Sequence, residues 1–552
     1  MHSPAQRARL ISIGLLLLSF ALNLQLLDRF PLREDEALYS YWALHLRQED
    51  PWLLTVWPDK PPLFLWAQAL VFQFVGATQA TARLLNIGIT VTTAALLIAT
   101  SRRLWATPGL LAAVLYVLNP FALSFAATAY TDPLLVFWGQ LALYLALSRR
   151  DLGAGMALGA AIMTKQQGLL YVPLVFALSL LAVPPLPTVK QSVKQPPIMT
   201  TRIKSTLRLV SGLLFITGPI LYWDSQRWAV APSPWDLSVR HYGGLALADA
   251  TLWPERARAW AGLLWYVGGN WLGWALYALL ALLTLVALWP RSRPGNHQAR
   301  PRLAPLLLAG WSVGFLVVHL ITTVQIWDRY LLPLLPIIVL LLEPAVANRA
   351  RIGSFGKPKF AAVVACVLLT ILLPGGLRAA RGEVPLGGDH GAYSGLTEAV
   401  TWLTSERATS DAHLPFLLYQ QPFGWQLQFY LYDATRNDAV EVRWFANEVT
   451  LADNAAKSPA QRRFLLQPQW QSTPALALHL ATRNLQITAR KHFGMLTLFE
   501  IQNRPQPPCL WCLCTPATAQ PQSPEHPLWS TFPTPPSLPS VATMCNAGNR
   551  SE

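Results

Sequence analysis

Residues 10–36, LISIGLLLLSFALNLQLLDRFPLREDE, decide the fold class of this chain of 552 residues. The part from 10 to 27 carries no charge, and an apolar run of about 18 residues is long enough to cross a bilayer as a helix. The charged stretch that follows contains no small-residue cleavage site. The run is therefore predicted to remain in the protein as a signal anchor and not to be removed as a signal peptide.

Similar apolar runs recur along the chain. Hydrophobic residues make up 53% of the sequence and charged residues only 13%, whereas a soluble protein carries about 25% charged residues. This composition predicts an α-helical polytopic membrane protein with about 11 transmembrane helices, in a range of roughly 10–13. The predicted spans are 10–27, 81–100, 108–126, 132–148, 152–164, 168–184, 207–223, 268–289, 303–323, 331–347 and 360–378.

The basic residues lie in short clusters between the apolar runs. Residues 1–379 hold 31 basic and 15 acidic residues, whereas the rest of the chain holds 12 and 13. Because basic loops stay in the cytoplasm, the N-terminus is predicted to be cytoplasmic. The protein is predicted to lie in a bacterial-type inner or plasma membrane. The loops 28–80 and 224–267 then lie outside. The net charge of +15 is loop charge by this interpretation, and no nucleic-acid partner is expected.

Residues 1–379 are predicted to form one transmembrane catalytic domain. The composition changes after residue 379. Residues 380–504 alternate short apolar runs with polar stretches, which predicts a small extracytoplasmic α/β domain. Residues 505–552 are rich in Pro, Ser and Thr and are predicted to be a disordered tail.

Ionisable residues gather at the outer ends of the spans. Ionisable groups near hydrocarbon are costly and usually functional. This set could bind an anionic headgroup, activate a hydroxyl and hold a metal. Since no glycine-rich nucleotide-binding loop is visible, no nucleotide cofactor is expected. The residues are Asp35, Glu36, Asp59, Lys60, Asp132, His241 and Arg329.

Five motifs occur in order around these residues. They are DEALYSYWA (35–43), DKPPLFLW (59–66), ATAYTDPLLVFW (127–138), TKQQGLLYVP (164–173) and WDRYLLPLLP (327–336). Together they resemble the GT-C superfamily of polyprenyl-phosphate-sugar glycosyltransferases. The branch most similar is glycosyltransferase family 39/83, which includes protein O-mannosyltransferases and the bacterial aminoarabinose transferase of lipid A. The resemblance covers residues 1–380.

The resemblance implies an inverting transfer of one sugar from a polyprenyl-phosphate donor in the membrane lipid. The acceptor would be a hydroxyl of an extracytoplasmic lipid, glycan or protein. The family's acidic pair matches Asp35 and Glu36, of which the first is the expected catalytic base. A further family acid matches Asp132, which is also assigned to the catalytic set.

The same resemblance implies a donor-phosphate site. The acid–Lys–Pro–Pro motif matches residues 59–62, so that Lys60 would pair with the phosphate and offset the charge that grows on it. The family's Arg-Tyr matches Arg329 and Tyr330, either of which could contact the phosphate.

Two features leave alternatives open. In the aminoarabinose branch an acid and a His hold a divalent metal, and Asp59 and His241 could match that pair. The His match is weak, and without the metal His241 is better interpreted as a hydrogen-bonding loop residue. The family's Thr-Lys-Gly is interrupted here by Gln166 and Gln167, which leaves the role of Lys165 open.

Three other functions compete with this prediction. A transporter or flippase for a lipid-linked sugar would bury charges in the middle of its spans and have two similar halves, and neither feature is visible. A non-catalytic scaffold would be indicated by the loss of Asp35 or Lys60, and both are present. An O-antigen-type polymerase or ligase with a diphosphate-linked donor is disfavoured by the motifs DEALYSYWA and DKPPLFLW. The sequence does not identify the sugar or the acceptor.

Overall fold

Up to residue 380, the secondary structure of the described residues is almost exclusively helical. The computed structural model describes residues 3–181, 198–244, 246–288, 303–347, 358–387, 391–459, 461–471 and 473–505. From residue 506 onward, the predicted tail therefore lies outside the described residues. The helices of this region are α1 (Pro4–Leu24), α2 (Glu34–Gln48), α3 (Leu63–Val75), α4 (Gln79–Trp105), α5 (Leu110–Val117), α6 (Pro120–Ala126), α7 (Asp132–Leu147), α8 (Asp151–Thr164), α9 (Val172–Leu181), α10 (Ile198–Arg227), α11 (Pro234–Tyr242), α12 (Trp253–Gly268), α13 (Trp271–Leu288), α14 (Leu303–Ile321), α15 (Leu334–Leu342), α16 (Pro344–Ala347) and α17 (Pro358–Ala380).

Several of these helices can cross a membrane by length and composition. Five described helices have at least 18 residues and few charges: Ala5–Leu24, Gln79–Trp105, Arg202–Arg227, Trp271–Leu288 and Leu303–Ile321. Shorter apolar helices include Asp132–Leu147 and Asp151–Thr164. The prediction of a polytopic helical membrane protein is confirmed, whereas the count of about 11 crossings stays a prediction.

The predicted span 108–126 is divided into two helices. Asn119 lies between α5 and α6, and its Oδ1 accepts hydrogen bonds from the backbone N–H groups of Phe121 and Ala122. Pro120 disfavours helical backbone at the residue before it, so α5 ends there and α6 begins with an Asn cap. The Nδ2 of Asn119 donates to Val267 O and to the Tyr277 hydroxyl. The Asn119 side chain at this break therefore connects α5 and α6 to α12 and α13.

Helices α8 and α10 pack with their backbones in contact. A Cβ on Gly155 would lie 1.9 Å from Leu209 O, and one on Gly212 would lie 2.0 Å from Leu152 O. Small residues that allow such close approach are the usual device of helix packing in membranes. This contact fixes α8, whose last residue is followed directly by Lys165.

The C-terminal region is a small α/β domain with a five-stranded sheet, as predicted. Its helices are α18 (Leu396–Ala408), α19 (Gly424–Tyr430), α20 (Tyr432–Arg436), α21 (Glu448–Ala456) and α22 (Leu476–Ala481), and its strands are β1 (Phe416–Gln420), β2 (Val440–Trp444), β3 (Arg463–Pro468), β4 (Leu485–Phe493) and β5 (Leu496–Asn503). The strand order is β2-β1-β3-β5-β4. Strands β2, β1 and β3 are parallel, and β5 and β4 are antiparallel to their neighbours.

Both faces of this sheet are buried. Phe416 and Leu418 of β1 pack in one core with α18 and α19, whereas Leu417 and Tyr419 pack in the other with α21 and α22. Successive side chains of a strand point to opposite faces, so a continuous apolar strand suits a sheet with helices on both sides.

The α/β domain packs directly on α2. Trp425 of α19 contacts Trp42 edge-to-face, with ring centroids 6.1 Å apart. The Tyr430 hydroxyl accepts from Leu32 N at 2.8 Å, and the Tyr432 hydroxyl donates to Glu49 at 2.7 Å. These contacts hold both ends of α2, the helix that carries Asp35.

Candidate active site

Asp35 lies in the first turn of α2, the helix that follows the first apolar helix α1. The three acids in that turn suit the positive end of the helix dipole. The Oδ2 of Asp35 accepts from Arg329 Nη2 at 2.5 Å, and the Asp35 side chain is still 32% exposed. Asp35 is therefore both oriented by Arg329 and open to a reactant.

Asp132 and Lys165 extend this ion pair into the protein. Asp132 begins α7, and its buried carboxylate accepts from Lys165 Nζ at 2.5 Å through Oδ1. Its Oδ2 lies 3.8 Å from Arg329 Nε. Arg329 thus bridges Asp35 and Asp132. Together with Tyr330, the neighbour of Arg329 in the chain, these are four residues of the predicted site.

Asp59 and Lys60 form a second buried pair. Lys60 Nζ donates to Asp59 Oδ2 at 2.7 Å and lies 4.1 Å from the centroid of the Tyr242 ring. Burial alone would raise the pKa of the Asp59 carboxyl, but the Lys60 ammonium outweighs it and lowers that pKa. Burial, and then the Asp59 carboxylate, raise the pKa of Tyr242. The Tyr242 hydroxyl therefore stays protonated beside the ion pair.

Lys165 belongs to this site despite the two inserted glutamines. Its backbone is extended, with φ −158° and ψ 140°, and a 3-10 turn (Gln166–Tyr171) begins only after it. The insertion therefore follows Lys165 and does not displace it. Lys165 Nζ also lies 4.0 Å from the centroid of the Tyr330 ring. Burial lowers the pKa of Lys165 to about 8, although the Asp132 carboxylate opposes the shift.

Both inserted glutamines tie outer segments to the site. Gln166 Nε2 donates to Asp59 O at 2.8 Å and to Pro234 O at 3.2 Å. Gln167 Nε2 contacts His319 Nε2 at 2.8 Å and donates to Tyr330 O at 3.0 Å. The sequence analysis did not assign Tyr242, Gln166 or Gln167 to the site, because their relevance depends on contacts between distant loops.

Glu36 has a different environment from Asp35. It is fully buried and pairs with Arg83 through two hydrogen bonds of 3.0 Å. The backbone N–H groups of Ala129 and Arg33 donate to the same carboxylate. The Arg83 and Arg33 guanidiniums overcome the effect of burial and lower the pKa of Glu36. These contacts favour a structural role, and the predicted catalytic role of Glu36 stays a prediction.

Two adjoining cavities lie beside the ion pairs. The first, of about 330 Å³, presents Lys60, Lys165, Tyr242 and Tyr330. The second, of about 430 Å³, is an apolar groove between α9 and α14. Leu169, Leu170 and Val318 line both cavities. A cationic pocket that continues into an apolar groove suits a lipid with an anionic headgroup.

The predicted metal pair is not completed by a third ligand. Within the described ranges no group of three or more His, Cys, Asp or Glu residues is placed to hold a metal ion. Asp59 is buried and His241 is exposed, and two donors leave a coordination shell incomplete. The residues present do not define a metal site by themselves, so the metal stays a prediction and no step below depends on it.

Comparison with known proteins agrees with this geometry. Fold and site together define an integral membrane protein with the GT-C fold. Residues 59–203 match the model of a family described as dolichyl-phosphate-mannose-protein mannosyltransferase. No curated protein sequence matches the chain significantly.

The solved structures that match include ArnT from Cupriavidus metallidurans. Its apo structure aligns with a TM-score of 0.58 at 17% sequence identity, over 90% of this chain and 98% of that chain. The structure bound to undecaprenyl phosphate aligns with a TM-score of 0.57 over the same shares. The predicted resemblance to the GT-C superfamily is thereby confirmed at the level of the fold.

Proposed function

We propose that this protein transfers one sugar from a polyprenyl monophosphate to a hydroxyl acceptor outside the cytoplasm, with inversion at the anomeric carbon. The observation that carries the proposal is the cationic cavity that holds Lys60 and Lys165 and continues into the apolar groove. Lys165 is connected through Asp132 and Arg329 to the partly exposed carboxylate of Asp35. The specific sugar and acceptor are left to experiment.

The donor phosphate binds between Lys60 and Lys165, and the polyprenyl chain lies along α9 and α14. Both ammonium groups line the same cavity, and each is already held by a carboxylate. Prepositioned cations stabilise charge that develops in the transition state without a cost of reorganisation. The fold-level likeness to a protein crystallised with undecaprenyl phosphate supports this class of lipid.

Asp35 acts as the general base. It takes the proton of the acceptor hydroxyl while the acceptor oxygen forms a bond to the anomeric carbon of the sugar. The bond from that carbon to the phosphate oxygen breaks on the opposite face, which gives inversion. The electron pair stays on the polyprenyl phosphate, where Lys60 and Lys165 offset the added charge. Arg329 keeps the Asp35 carboxylate in position through its hydrogen bond.

The site faces away from the cytoplasm in this proposal. Arg83, in the first turns of α4, binds Glu36 next to the site, whereas Arg102 and Arg103 occupy the last turn of the same helix. A helix of 27 residues spans about 40 Å at about 1.5 Å per residue. Since basic loop residues prefer the cytoplasm, the N-terminus is cytoplasmic and the α/β domain is extracytoplasmic.

The test uses the full chain in lipid nanodiscs with radiolabelled polyprenyl-phosphate mannose, glucose and aminoarabinose. Loss of label from the lipid, to an acceptor or to water, is followed for the wild type, Asp35→Asn and Lys60→Ala. Asp28→Asn and Lys204→Ala, which change exposed residues, are the matched controls. We expect turnover in the wild type and both controls and a loss of at least about 100-fold in the two site variants.

Three results would contradict this proposal in different ways. Turnover that survives Asp35→Asn would remove Asp35 from the chemistry. Turnover that survives Lys60→Ala would remove Lys60 from the donor site. Movement of an intact lipid-linked sugar across the bilayer without loss of label would establish a flippase instead.

A further inference from the structure

The α/β domain contains a polar pocket at one end of its sheet, away from the ion pairs described above. The cavity, of about 320 Å³, is lined by Gln421, Phe445, Asn447, Glu448, Val449, Gln471, Thr473 and His479. These residues follow the three parallel strands: Gln421 comes directly after β1, Phe445 directly after β2, and Gln471 soon after β3. Ligands of parallel α/β sheets bind in the crevice outside the carboxyl ends of the strands.

Hydrogen bonds between side chains build the wall of this pocket. Gln421 Nε2 donates to Phe445 O at 3.1 Å, and Gln471 Nε2 donates to Gln421 Oε1. Thr473 Oγ1 donates to Gln467 Oε1 at 3.1 Å. The amides are therefore held in fixed orientations, and Phe445 supplies a buried aromatic surface beside them.

Two further lining groups keep their hydrogen-bonding capacity. Glu448 begins α21, and its carboxylate makes no hydrogen bond or ion pair within the part of the chain that the structure describes; the same holds for the ring of His479. Both side chains are partly buried. A carboxylate and an imidazole together can accept from and donate to hydroxyl groups.

The charges of the lining select the class of ligand. It contains no Lys or Arg and one carboxylate, so it repels a phosphate or an acidic group. A metal is excluded from the argument because no three-ligand group exists among the described residues. Fixed amides, a carboxylate, a hydroxyl and an aromatic wall instead suit a neutral ligand with several hydroxyls, and a volume near 320 Å³ lies in the range of small-ligand pockets, from about 300 Å³ upward.

We propose that this pocket binds a neutral saccharide unit. Its end of the sheet is the one at which the chain passes from β1 into α19, the helix that packs on α2. Because α2 carries Asp35, the pocket and the proposed base are connected through the contact between α19 and α2. That the bound saccharide is part of the acceptor rests on the proposed function, whereas saccharide binding itself does not.

The test measures saccharide binding to the full chain in nanodiscs by saturation-transfer NMR, with a panel of neutral mono- and disaccharides as probes. Val449→Trp fills the pocket from an exposed helix position and breaks no side-chain hydrogen bond. Glu448→Gln removes the charge at nearly constant shape. Gln502→Ala, on the exposed end of β5, is the control. We expect binding in the wild type and the control, and a loss of at least about tenfold in affinity, about 1.4 kcal/mol, in Val449→Trp and Glu448→Gln.

Binding that is unchanged in Val449→Trp would overturn the assignment to this pocket, and no binding of any saccharide by the wild type would overturn the proposal itself. Hydrolysis of donor to water is measured in the same samples, since it depends on Asp35 and Lys60 and not on the pocket. Donor hydrolysis without saccharide binding would therefore sink this inference and leave the proposed function standing. Saccharide binding without any donor turnover would support this inference and contradict the proposed function.

Discussion

At the scale of single residues, Arg329 connects the two carboxylates of the site. It donates to Asp35 at 2.5 Å and lies 3.8 Å from Asp132, while its guanidinium stacks 4.8 Å from the centroid of the Tyr130 ring. Asp132 has no exposed oxygen to offer a substrate, because the carboxylate is buried and shared between Arg329 and Lys165. These contacts favour a positioning role for Asp132 and leave Asp35 as the proposed base, while the predicted catalytic role of Asp132 stays a prediction.

Lys165 gives the donor site a pH dependence. Burial lowers its pKa to about 8, so the ammonium is charged below that pH and loses its charge as the pH rises through it. We expect the KM for the donor to rise about tenfold or more between roughly pH 7 and 9, since a hydrogen bond to a charged group contributes about 1.5–3 kcal/mol. Steady-state kinetics of the wild type and Lys165→Arg measure this.

The arginine variant is the control because a guanidinium stays charged throughout that range. Its donor KM should not follow pH. A wild-type KM that is flat over the same range, or one that rises equally in Lys165→Arg, would remove Lys165 from the donor site.

Substitutions of Glu36 and Asp35 should differ in their effect on the stability of the protein, although the two residues are neighbours in the sequence. Glu36→Gln leaves the buried Arg83 guanidinium without its ion partner, and breaking a buried pair costs about 3–5 kcal/mol. We expect a clearly lower Tm for Glu36→Gln and a nearly unchanged Tm for Asp35→Asn, measured by thermal unfolding in detergent. A Glu36→Gln protein that unfolds like the wild type but has lost turnover would assign Glu36 to the chemistry, as the motif predicted.

At the scale of elements, the contact between α8 and α10 fixes the backbone from which Lys165 extends. Gly212→Ala should destabilise the protein, because its Cβ would lie 2.0 Å from Leu152 O and overpacking typically costs about 1–3 kcal/mol. Gly218→Ala on the same helix is the matched control, since nothing lies within 4 Å of its Cβ. Equal Tm values for the two variants would contradict this close packing.

The sequence predicted elements better than it predicted their contacts. The helical membrane region, the α/β region that follows it and the motifs around Asp35, Lys60 and Arg329 follow from periodicity, charge and motif, which are local properties. The break at Asn119 was missed although Asn119 and Pro120 signal it, because apolar residues resume directly after them. Lys165 was left open because the sequence does not show where its side chain lies, and only the structure places its ammonium against Asp132.

At the scale of the whole molecule, the helical domain and the α/β domain share α2 between them. The membrane domain supplies the cations and the apolar groove, while the α/β domain holds α2 through Tyr430, Tyr432 and Trp425. A base carried on a helix that is fixed from both sides can stay at the boundary between a lipid donor and a water-soluble or membrane-bound acceptor.

The groove between α9 and α14 predicts how the protein selects its donor by chain length. Gly310 and Gly314 line the groove, and nothing lies within 4 Å of a Cβ built on either, so Gly314→Leu should fold normally and fill space that the polyprenyl chain occupies. We expect the KM of a long-chain donor to rise at least about tenfold, because a buried methylene contributes about 0.8 kcal/mol, whereas a donor with a ten-carbon chain should lose much less. Gly14→Leu, at an equally open position on α1, should change neither value. An equal loss for both donors in Gly314→Leu would show that the substitution disturbs the headgroup site, and no loss for either would place the lipid chain elsewhere on the membrane domain.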